Sequence, residues 1–183
     1  MEKITGLKVY PLPGAVIPLI SLCIADFEAD LTKLSLKERR PCVYGSPQRR
    51  DVVFYSDFSA GYRYSGQVAV AHKLTKNMIN IIKYFDVNGI LVNRYIGGKD
   101  IIGPHSDDIT RLATTDIITV SVGAIRKFRI RDKKTKEIIA DILTEPYMVI
   151  HMFDDFQAKY THEIVQDSST GIRYSLTFRN HSV

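Results

Sequence analysis

The sequence predicts an α+β chain that is mainly β, with an antiparallel jelly-roll core and N-terminal helices packed on it. Helical spacing of apolar residues occurs only before residue 86, and from Gly89 onward short apolar runs are separated by turn residues. Several of these runs are rich in β-branched residues, which favour strands. Seven or eight short strands that follow helical segments are typical of a closed or double-sheet antiparallel architecture.

The composition limits the class of protein. At 183 residues with 45% hydrophobic content, the chain suits one globular domain. The 25 basic and 20 acidic side chains leave a net charge of +5, which allows binding to a polyanion without requiring it. Cys23 and Cys42 fit neither a disulfide framework nor a zinc motif, so we expect a reducing compartment. The apolar run Ala15–Ile24 is short and interrupted by Pro18, so we expect an intracellular protein without signal peptide or membrane span.

The first 40 residues form an N-terminal extension and helix in this prediction, and residues 41–183 form the rest of a single domain. Pro11, Pro13 and Gly14 indicate an extended start, and Ala25–Leu36 could form a short helix. The basic run Lys37–Arg40 is expected to be a solvated helix end, and the alternative is a phosphate contact.

The stretch from Pro41 to Gly66 mixes turn residues, aromatic residues and arginines, which suits hairpins. Tyrosines among arginines are typical of surfaces that stack unpaired bases and attract phosphates. Tyrosines that pack along sheet edges are the alternative explanation. The side chains concerned are Tyr44, Arg49, Arg50, Tyr55, Tyr62, Arg63 and Tyr64.

One amphipathic helix and a series of strands are predicted after this stretch. Apolar residues recur at helical spacing between Val70 and Phe85, so we expect a helix that packs on the core. Short apolar runs bounded by turn residues then predict strands at Ile90–Tyr95, Ile117–Val122, Phe128–Arg131, Ile138–Ile142, Tyr147–Met152, Glu163–Gln166 and Arg173–Phe178.

A candidate metal site lies at the end of the segment Asn93–Asp108. In extended chain His105 and Asp107 point to the same face, which is how two ligands of a two-histidine, one-carboxylate iron site are placed. A third ligand must come from elsewhere. His162, shortly before the last strand, is best placed to return beside the first two. His151 follows an apolar run, where a lone histidine is usually a core or edge residue. The remaining candidates, His72 and His181, are expected at the surface.

The last strand carries two arginines six residues apart. Arg173 and Arg179 therefore share one face with Ser175 and Thr177, and the opposite face is apolar. Two buried guanidinium groups are costly without partners, and a ligand with two carboxylates would satisfy both. Asn93 and Tyr95 share one face of their own strand and could add hydrogen bonds to the same ligand.

The segments N-R-Y, H-S-D-D, V-S-V-G-A-I-R-K-F, T-H-E and R-Y-S-L-T-F-R, in this order, resemble the AlkB family of iron(II)- and 2-oxoglutarate-dependent dioxygenases, which repair alkylated bases. The resemblance runs from about Pro41 to Arg179. It implies a double-stranded β-helix, cupin-like version of the jelly roll and a dioxygenase domain over residues 41–183. It also implies oxidative dealkylation of 1-methyladenine and 3-methylcytosine in DNA, which yields succinate, CO2 and formaldehyde.

The resemblance assigns roles to individual residues. Fe(II), 2-oxoglutarate and O2 would be used, and the iron ligands would be His105, Asp107 and His162. The 2-oxoglutarate contacts would be Asn93, Tyr95, Arg173, Ser175, Thr177 and Arg179. Ser175 replaces the asparagine that is usual in the family, so one hydrogen bond differs. Substrate contacts would be Arg50, Tyr62, Tyr64 and Asp108, and Tyr44 would be a duplex-opening wedge.

The expected partner is nucleic acid, and the expected state is a monomer. One alternative keeps the chemistry and changes the substrate to RNA, a protein or a small molecule. Another is a nucleic-acid-binding module whose oxygenase site is vestigial, which would bind oligonucleotide without 2-oxoglutarate turnover.

Overall fold

The computed structural model describes residues 4–43, 45–64, 67–168 and 170–182, and it describes only the backbone of Val43, Arg63, Tyr64 and Gln67. The chain begins with strand β1 (Leu7–Pro11), a 3-10 turn (Gly14–Val16), helix α1 (Ile17–Leu31) and helix α2 (Leu36–Arg39).

The first helix is shifted relative to the prediction. The sequence favoured Ala25–Leu36, but α1 starts eight residues earlier, at Ile17, and ends at Leu31. Pro18 lies in the first turn, where a proline fits because no intrahelical N–H donor is needed there. Pro18, which interrupts the apolar run in the sequence, therefore belongs to the first turn of the helix.

The middle of the chain forms small strands and one helix. These elements are β2 (Cys42–Val43), β3 (Ser46–Pro47), β4 (Asp51–Tyr55), β5 (Gly61–Tyr64), β6 (Gln67–His72) and α3 (Lys76–Phe85). The predicted helix Val70–Phe85 was too long at its start. Thr75 caps α3 by accepting a hydrogen bond from the Met78 N–H, and the residues up to His72 pair instead with β4 and β5.

The strands predicted after Gly89 are all present, and one further strand, β8, was missed. The predicted strand Glu163–Gln166 lies at Tyr160–Ile164, which places His162 inside it. The elements are β7 (Gly89–Tyr95), β8 (Ile102–His105), β9 (Leu112–Gly123), β10 (Lys127–Asp132), β11 (Ile138–Leu143), β12 (Met148–Met152), α4 (Phe156–Lys159), β13 (Tyr160–Ile164) and β14 (Arg173–His181).

Two sheets confirm the predicted jelly-roll architecture. The large sheet has the order β1-β12-β9-β14-β7-β4-β6-β5, and the small one has the order β11-β10-β13-β8. The described pairings are antiparallel except that between β4 and β6. β14 lies between β7 and β9, so the arginine-bearing strand occupies the middle of the large sheet.

The hydrophobic core has two main parts. On one face of the large sheet, α1 and α3 bury Phe27, Met78 and Ile81 against Val53 and Phe178, as expected for helices packed on a sheet. The second part includes apolar side chains of both sheets. Among the described residues, no helix is long and apolar enough to cross a membrane.

A buried ion cluster attaches the N-terminal helices to the large sheet. The Asp51 carboxylate, fully buried, accepts from Arg39, Arg40 and Arg94, at distances of 2.8 to 3.1 Å. Arg94 also pairs with Glu28 of α1 at 2.7 Å. The basic run Lys37–Arg40 was expected to be solvated or to contact phosphate, and this is wrong for its last two residues, because a carboxylate beneath them binds both.

Candidate metal and cosubstrate site

Three side chains, from the end of β8, the loop after it and the middle of β13, form a candidate metal centre. The ligand atoms of His105, Asp107 and His162 all lie within 4.8 Å of one another. Asp107 stands between the histidines, with Oδ1 3.6 Å from Nε2 of His105 and Oδ2 3.9 Å from Nε2 of His162. The structure therefore brings together the three residues that the sequence resemblance selected.

Strand pairing and two hydrogen bonds position these side chains. His105 is directly opposite His162 in the β8–β13 ladder. Ser106 donates to the Tyr160 carbonyl oxygen at 2.8 Å, and the Asp107 N–H donates to Gln157 Oε1 at 2.9 Å. The residues that follow His105 are thus fixed to the segment that precedes His162.

The protonation states suit metal binding. Nδ1 of His105 lies 2.9 Å from the Gly103 carbonyl oxygen, so it carries the proton and leaves the Nε2 lone pair free for a metal. Burial, followed by the nearby His105, lowers the pKa of His162 to about 3, so that ring is neutral at physiological pH. Burial alone would raise the pKa of Asp107, but the charge of the nearby Arg179 outweighs it and helps to hold that pKa well below its ordinary value.

These residues fit an iron(II) ion. Two imidazoles and one carboxylate with an open side form the donor set of two-histidine, one-carboxylate iron oxygenases. His105 remains 31% exposed toward the cavity, whereas the side chains of Asp107 and His162 are 5% and 8% exposed. The open side of the centre therefore faces space that a cosubstrate can reach.

A cavity of about 570 Å³ extends from this centre along the polar face of the large sheet. Asn93, Ser175 and Ser121 lie side by side on β7, β14 and β9, and Tyr95 pairs with Arg173 one step further along. Four residues of β14 line this cavity and so share one face, as predicted: Arg173, Ser175, Thr177 and Arg179.

Arg173 is held at one end of this face with part of its guanidinium group unused. Its Nε donates to Thr144 Oγ1 at 3.2 Å and its Nη2 to Ser121 Oγ at 2.8 Å, and its Cζ lies 5.2 Å from the centre of the Tyr95 ring. Nη1 is buried without a hydrogen-bond partner. Burial lowers the pKa of Arg173 to about 10, so the group stays charged at neutral pH. A buried, charged donor of this kind fits a carboxylate ligand.

Arg179 lies nearer the metal centre. Its Nη2 is 3.0 Å from Asp107 Oδ2, its Cζ is 4.3 Å from the Tyr62 ring centre, and its Nε and Nη1 are buried without partners. Asn93 accepts a hydrogen bond from Arg50 Nε at 2.8 Å. Arg179 thus contacts the predicted metal ligand Asp107, and Asn93 contacts the predicted substrate residue Arg50.

Part of the predicted substrate surface lines the same cavity. Arg50 and Tyr62 line it as buried residues, and Asp108 and Arg49 line it as exposed ones. Asp108 Oδ1 accepts from the Thr110 hydroxyl and N–H, and these two bonds lower the pKa of its carboxyl, which stays ionised. Tyr64 belongs to β5, but its side chain lies outside the described part of the chain, as does Tyr44 entirely.

The other histidines lie away from the triad. His72 is at the end of β6 rather than on a helix, and His151 pairs with Asp116 at 2.7 Å. His181 was expected at the surface of a C-terminal tail, and this is wrong. β14 continues to His181 and buries its ring against Phe54, at 5.0 Å between ring centres.

Sequence reasoning missed three polar residues beside the predicted cosubstrate contacts: Thr119 lies beside Thr177, and Ser121 and Thr144 accept hydrogen bonds from Arg173. Thr119 and Ser121 alternate along β9 and face the cavity side, a period-two signal that was present in the sequence. Thr144 lies outside any strand, and only the tertiary structure places it beside Arg173.

Comparisons with known sequences agree with this site. Residues 46–179 match the family model described as the 2OG-Fe(II) oxygenase superfamily. An uncharacterised protein of Acanthamoeba polyphaga mimivirus is 30% identical over 142 residues, which are 73% of this chain and 73% of that protein. The DNA oxidative demethylase ALKBH2 of Bos taurus is 32% identical over 90 residues, which are 45% of this chain and 32% of that protein.

Two solved structures share the fold. The structure of OsALKBH1 gives a TM-score of 0.62 at 14% identity and covers 98% of this chain and 100% of that one. The crystal structure of a Pseudomonas putida prolyl-4-hydroxylase gives a TM-score of 0.62 at 10% identity, with 96% and 92% covered. At these identities the likeness concerns the fold alone, and the fold does not select a substrate.

Proposed function

The chain belongs to the 2OG-Fe(II) oxygenase superfamily and is AlkB-like, and from this premise we propose that it oxidatively removes N-methyl groups from bases in nucleic acid. It is a dioxygenase that uses Fe(II), 2-oxoglutarate and O2. The substrates we propose are 1-methyladenine and 3-methylcytosine in DNA. The sequence likeness to a bovine DNA oxidative demethylase supports this choice.

One observation supports a modified base as substrate above all others: an ionised carboxylate, an aromatic ring and guanidinium groups line the cavity. These groups belong to Asp108, Tyr62, Arg49 and Arg50. Methylation at N1 of adenine or N3 of cytosine gives the base a positive charge, which a carboxylate attracts. The exposed guanidinium group of Arg49 suits a phosphate of the strand.

Each part of the cavity then has a proposed task. His105, Asp107 and His162 hold the metal, and Arg173 with Tyr95 binds the distal carboxylate of 2-oxoglutarate. Arg179 and Asn93 serve the end of the cosubstrate that chelates the metal, and Ser175 and Thr177 line the wall between. When bound, iron, 2-oxoglutarate and O2 together supply the oxidation, in which the cosubstrate becomes succinate and CO2 and the N-methyl carbon leaves as formaldehyde.

The protein itself contributes orientation and exclusion of water. Asp107 and His162 are buried, which limits the access of bulk water to the centre. The substrate base must leave its stack to enter, and an aromatic side chain at the mouth can stack on it. We propose Tyr64 for this stacking role on sequence grounds, and the buried Tyr62 as part of the cavity wall.

A substrate panel tests this proposal. Protein with Fe(II), 2-oxoglutarate and ascorbate is incubated with DNA and RNA oligonucleotides that carry 1-methyladenine, 3-methylcytosine or the uncharged 3-methylthymine, and loss of the methyl group is followed by mass spectrometry. We expect demethylation of the two cationic bases, with DNA preferred over RNA. Methyl groups retained on every oligonucleotide, alongside 2-oxoglutarate turnover, would contradict the proposal.

The variant Asp108→Asn refines the test because it keeps the shape of the side chain and removes its charge. A hydrogen bond to a charged group contributes about 1.5–3 kcal/mol, so we expect a loss of about tenfold or more in kcat/KM for the cationic bases. Activity on 3-methylthymine should change much less. Equal losses on charged and uncharged bases would argue against a role for Asp108 in recognising charge.

A further inference from the structure

Arg126 is a fully buried cation that takes no part in the functions proposed above. Its side chain is 0% exposed, and its Nε pairs with Asp167 Oδ2 at 2.8 Å. The two terminal nitrogens donate to four main-chain carbonyl groups at 2.9 to 3.2 Å, and these belong to Gly97, Gly98, Asp100 and Val165. Five acceptors around one guanidinium group are a demanding arrangement that a lysine, with three donors on one atom, cannot reproduce.

These acceptors belong to two loops that follow functional strands. Gly97, Gly98 and Asp100 lie between β7, which carries Asn93 and Tyr95, and β8, which ends at His105. Val165 and Asp167 directly follow β13, which carries His162.

The two loops are in close contact. The Asp167 N–H donates to the Gly98 carbonyl oxygen at 3.1 Å, and a Cβ at Gly98 would lie 2.0 Å from the Asp167 carbonyl oxygen. Arg126 therefore joins the segments that bear the cosubstrate contacts to those that bear the histidines.

Arg126 is also connected to the proposed carboxylate clamp of Arg173 and Tyr95. Its Cζ lies 5.9 Å from the centre of the Tyr95 ring. Its backbone N–H donates to Thr144 Oγ1 at 3.1 Å, the same hydroxyl that accepts from Arg173 Nε at 3.2 Å. A displacement of Arg126 would therefore move Tyr95 and Arg173 together.

We propose that Arg126 is a positioning residue that fixes the distance between the carboxylate clamp and the metal triad, and so selects a cosubstrate with the length of 2-oxoglutarate. A 2-oxo acid must reach the metal with one end and Arg173 with the other, so this distance sets the chain length that fits. If the two loops relaxed, the clamp and the metal triad could move apart. A 2-oxo dicarboxylate one carbon longer would then compete with 2-oxoglutarate for the site. This inference rests on the proposed clamp.

Calorimetry on the Mn(II)-loaded protein tests the inference without turnover. The dissociation constants of 2-oxoglutarate and of the longer 2-oxoadipate are measured for wild type, Arg126→Lys and Arg129→Lys. Arg129 is a partly exposed neighbour that pairs with Asp141 at 2.7 Å, so its variant is the matched control. We expect Arg126→Lys to weaken 2-oxoglutarate binding about tenfold, to weaken 2-oxoadipate less and to leave the Mn(II) affinity within about twofold. The control should match wild type.

The variant Gly98→Ala replaces Arg126→Lys in this test if Arg126→Lys does not fold. The Cβ added at Gly98 would push the two loops apart while the guanidinium group of Arg126 remains. The same shift in the ratio of the two dissociation constants is expected. Wild-type affinities in the folded variant would overturn the inference, and so would a wild type that binds 2-oxoadipate as tightly as 2-oxoglutarate.

The variant Arg173→Gln distinguishes this inference from its premise. If Arg173→Gln binds 2-oxoglutarate as wild type does, the clamp itself is wrong, and the role of Arg126 falls with it. If Arg173→Gln loses affinity and Arg126→Lys does not, the clamp stands and only the positioning role is refuted.

Discussion

The Nη2 atom of Arg179 lies 3.0 Å from Oδ2 of Asp107, so the last strand supplies the counterion for a carboxylate that stands between two histidines. Both side chains are nearly inaccessible to solvent. A buried carboxylate without a cation would tend to take up a proton. Arg179 therefore keeps Asp107 in the form that a metal needs.

The first prediction concerns Arg179→Gln and the pH dependence of metal binding. Without the guanidinium group the pKa of Asp107 rises toward and above its ordinary value, so protons compete with the metal as the pH falls. We expect the Mn(II) affinity of the variant, divided by that of wild type, to decrease between pH 7.5 and about pH 5. Calorimetry at several pH values measures this ratio. A ratio that stays constant, as expected for the control Arg129→Gln, would refute this role of Arg179.

A second prediction separates two neighbouring arginines. Arg50 is buried and donates to Asn93, on the proposed cosubstrate face, whereas Arg49 is exposed. We expect Arg50→Met to weaken the binding of both 2-oxoglutarate and oligonucleotide. Arg49→Met should weaken oligonucleotide binding alone and reduce its salt dependence, because it removes a phosphate contact. The link between the two sites would be disproved if Arg50→Met left 2-oxoglutarate binding intact.

A third prediction concerns the stability of the ion cluster at Asp51. Burial alone would raise the pKa of Asp51, but hydrogen bonds from Arg40 and Arg94 outweigh it and lower that pKa. Breaking a buried ion pair typically costs about 3–5 kcal/mol, so we expect Asp51→Asn to lower the free energy of unfolding by about 3 kcal/mol in urea titrations. The control Asp141→Asn breaks a partly exposed pair with Arg129 and should cost less than about 1 kcal/mol. Similar losses in the two variants would contradict the prediction.

A fourth prediction follows from His181. Burial, followed by the charge of Arg179, lowers the pKa of His181 from 6.5 to about 4. Between these values the unfolded chain binds more protons than the folded chain, so the free energy of unfolding rises with pH through this window. We expect the rise between about pH 4 and 6.5 to be shallower for His181→Gln in the metal-free protein. Parallel curves of the free energy of unfolding against pH would show that His181 does not contribute.

Parts of the site could be predicted because they depend on local geometry. The spacing of Arg173 and Arg179 places both on one face of any strand, and the same argument applies to His105 and Asp107. The pairing of Arg179 with Asp107 could not be predicted, because it depends on how β14 lies relative to the end of β8.

The errors in the secondary structure also have physical causes. Val70 and Leu74 fit a helical pattern, but the edges of β4 and β5 were available to pair with the segment that contains Val70. The proposed role of Arg126 could not be predicted from the sequence either. Four of its five partners are main-chain carbonyl groups, which every residue carries whatever its side chain.

The central claim is that the triad of His105, Asp107 and His162 supports oxidative demethylation of a base, and one measurement tests it most directly. Succinate and formaldehyde are quantified together when the protein acts on an oligonucleotide with 1-methyladenine, with His162→Gln as the metal-site control. We predict that wild type releases one formaldehyde for each base repaired, with a matching rise in succinate, and that His162→Gln releases neither. Formaldehyde release by His162→Gln at the wild-type rate, or none from the iron-loaded wild type, would contradict the claim.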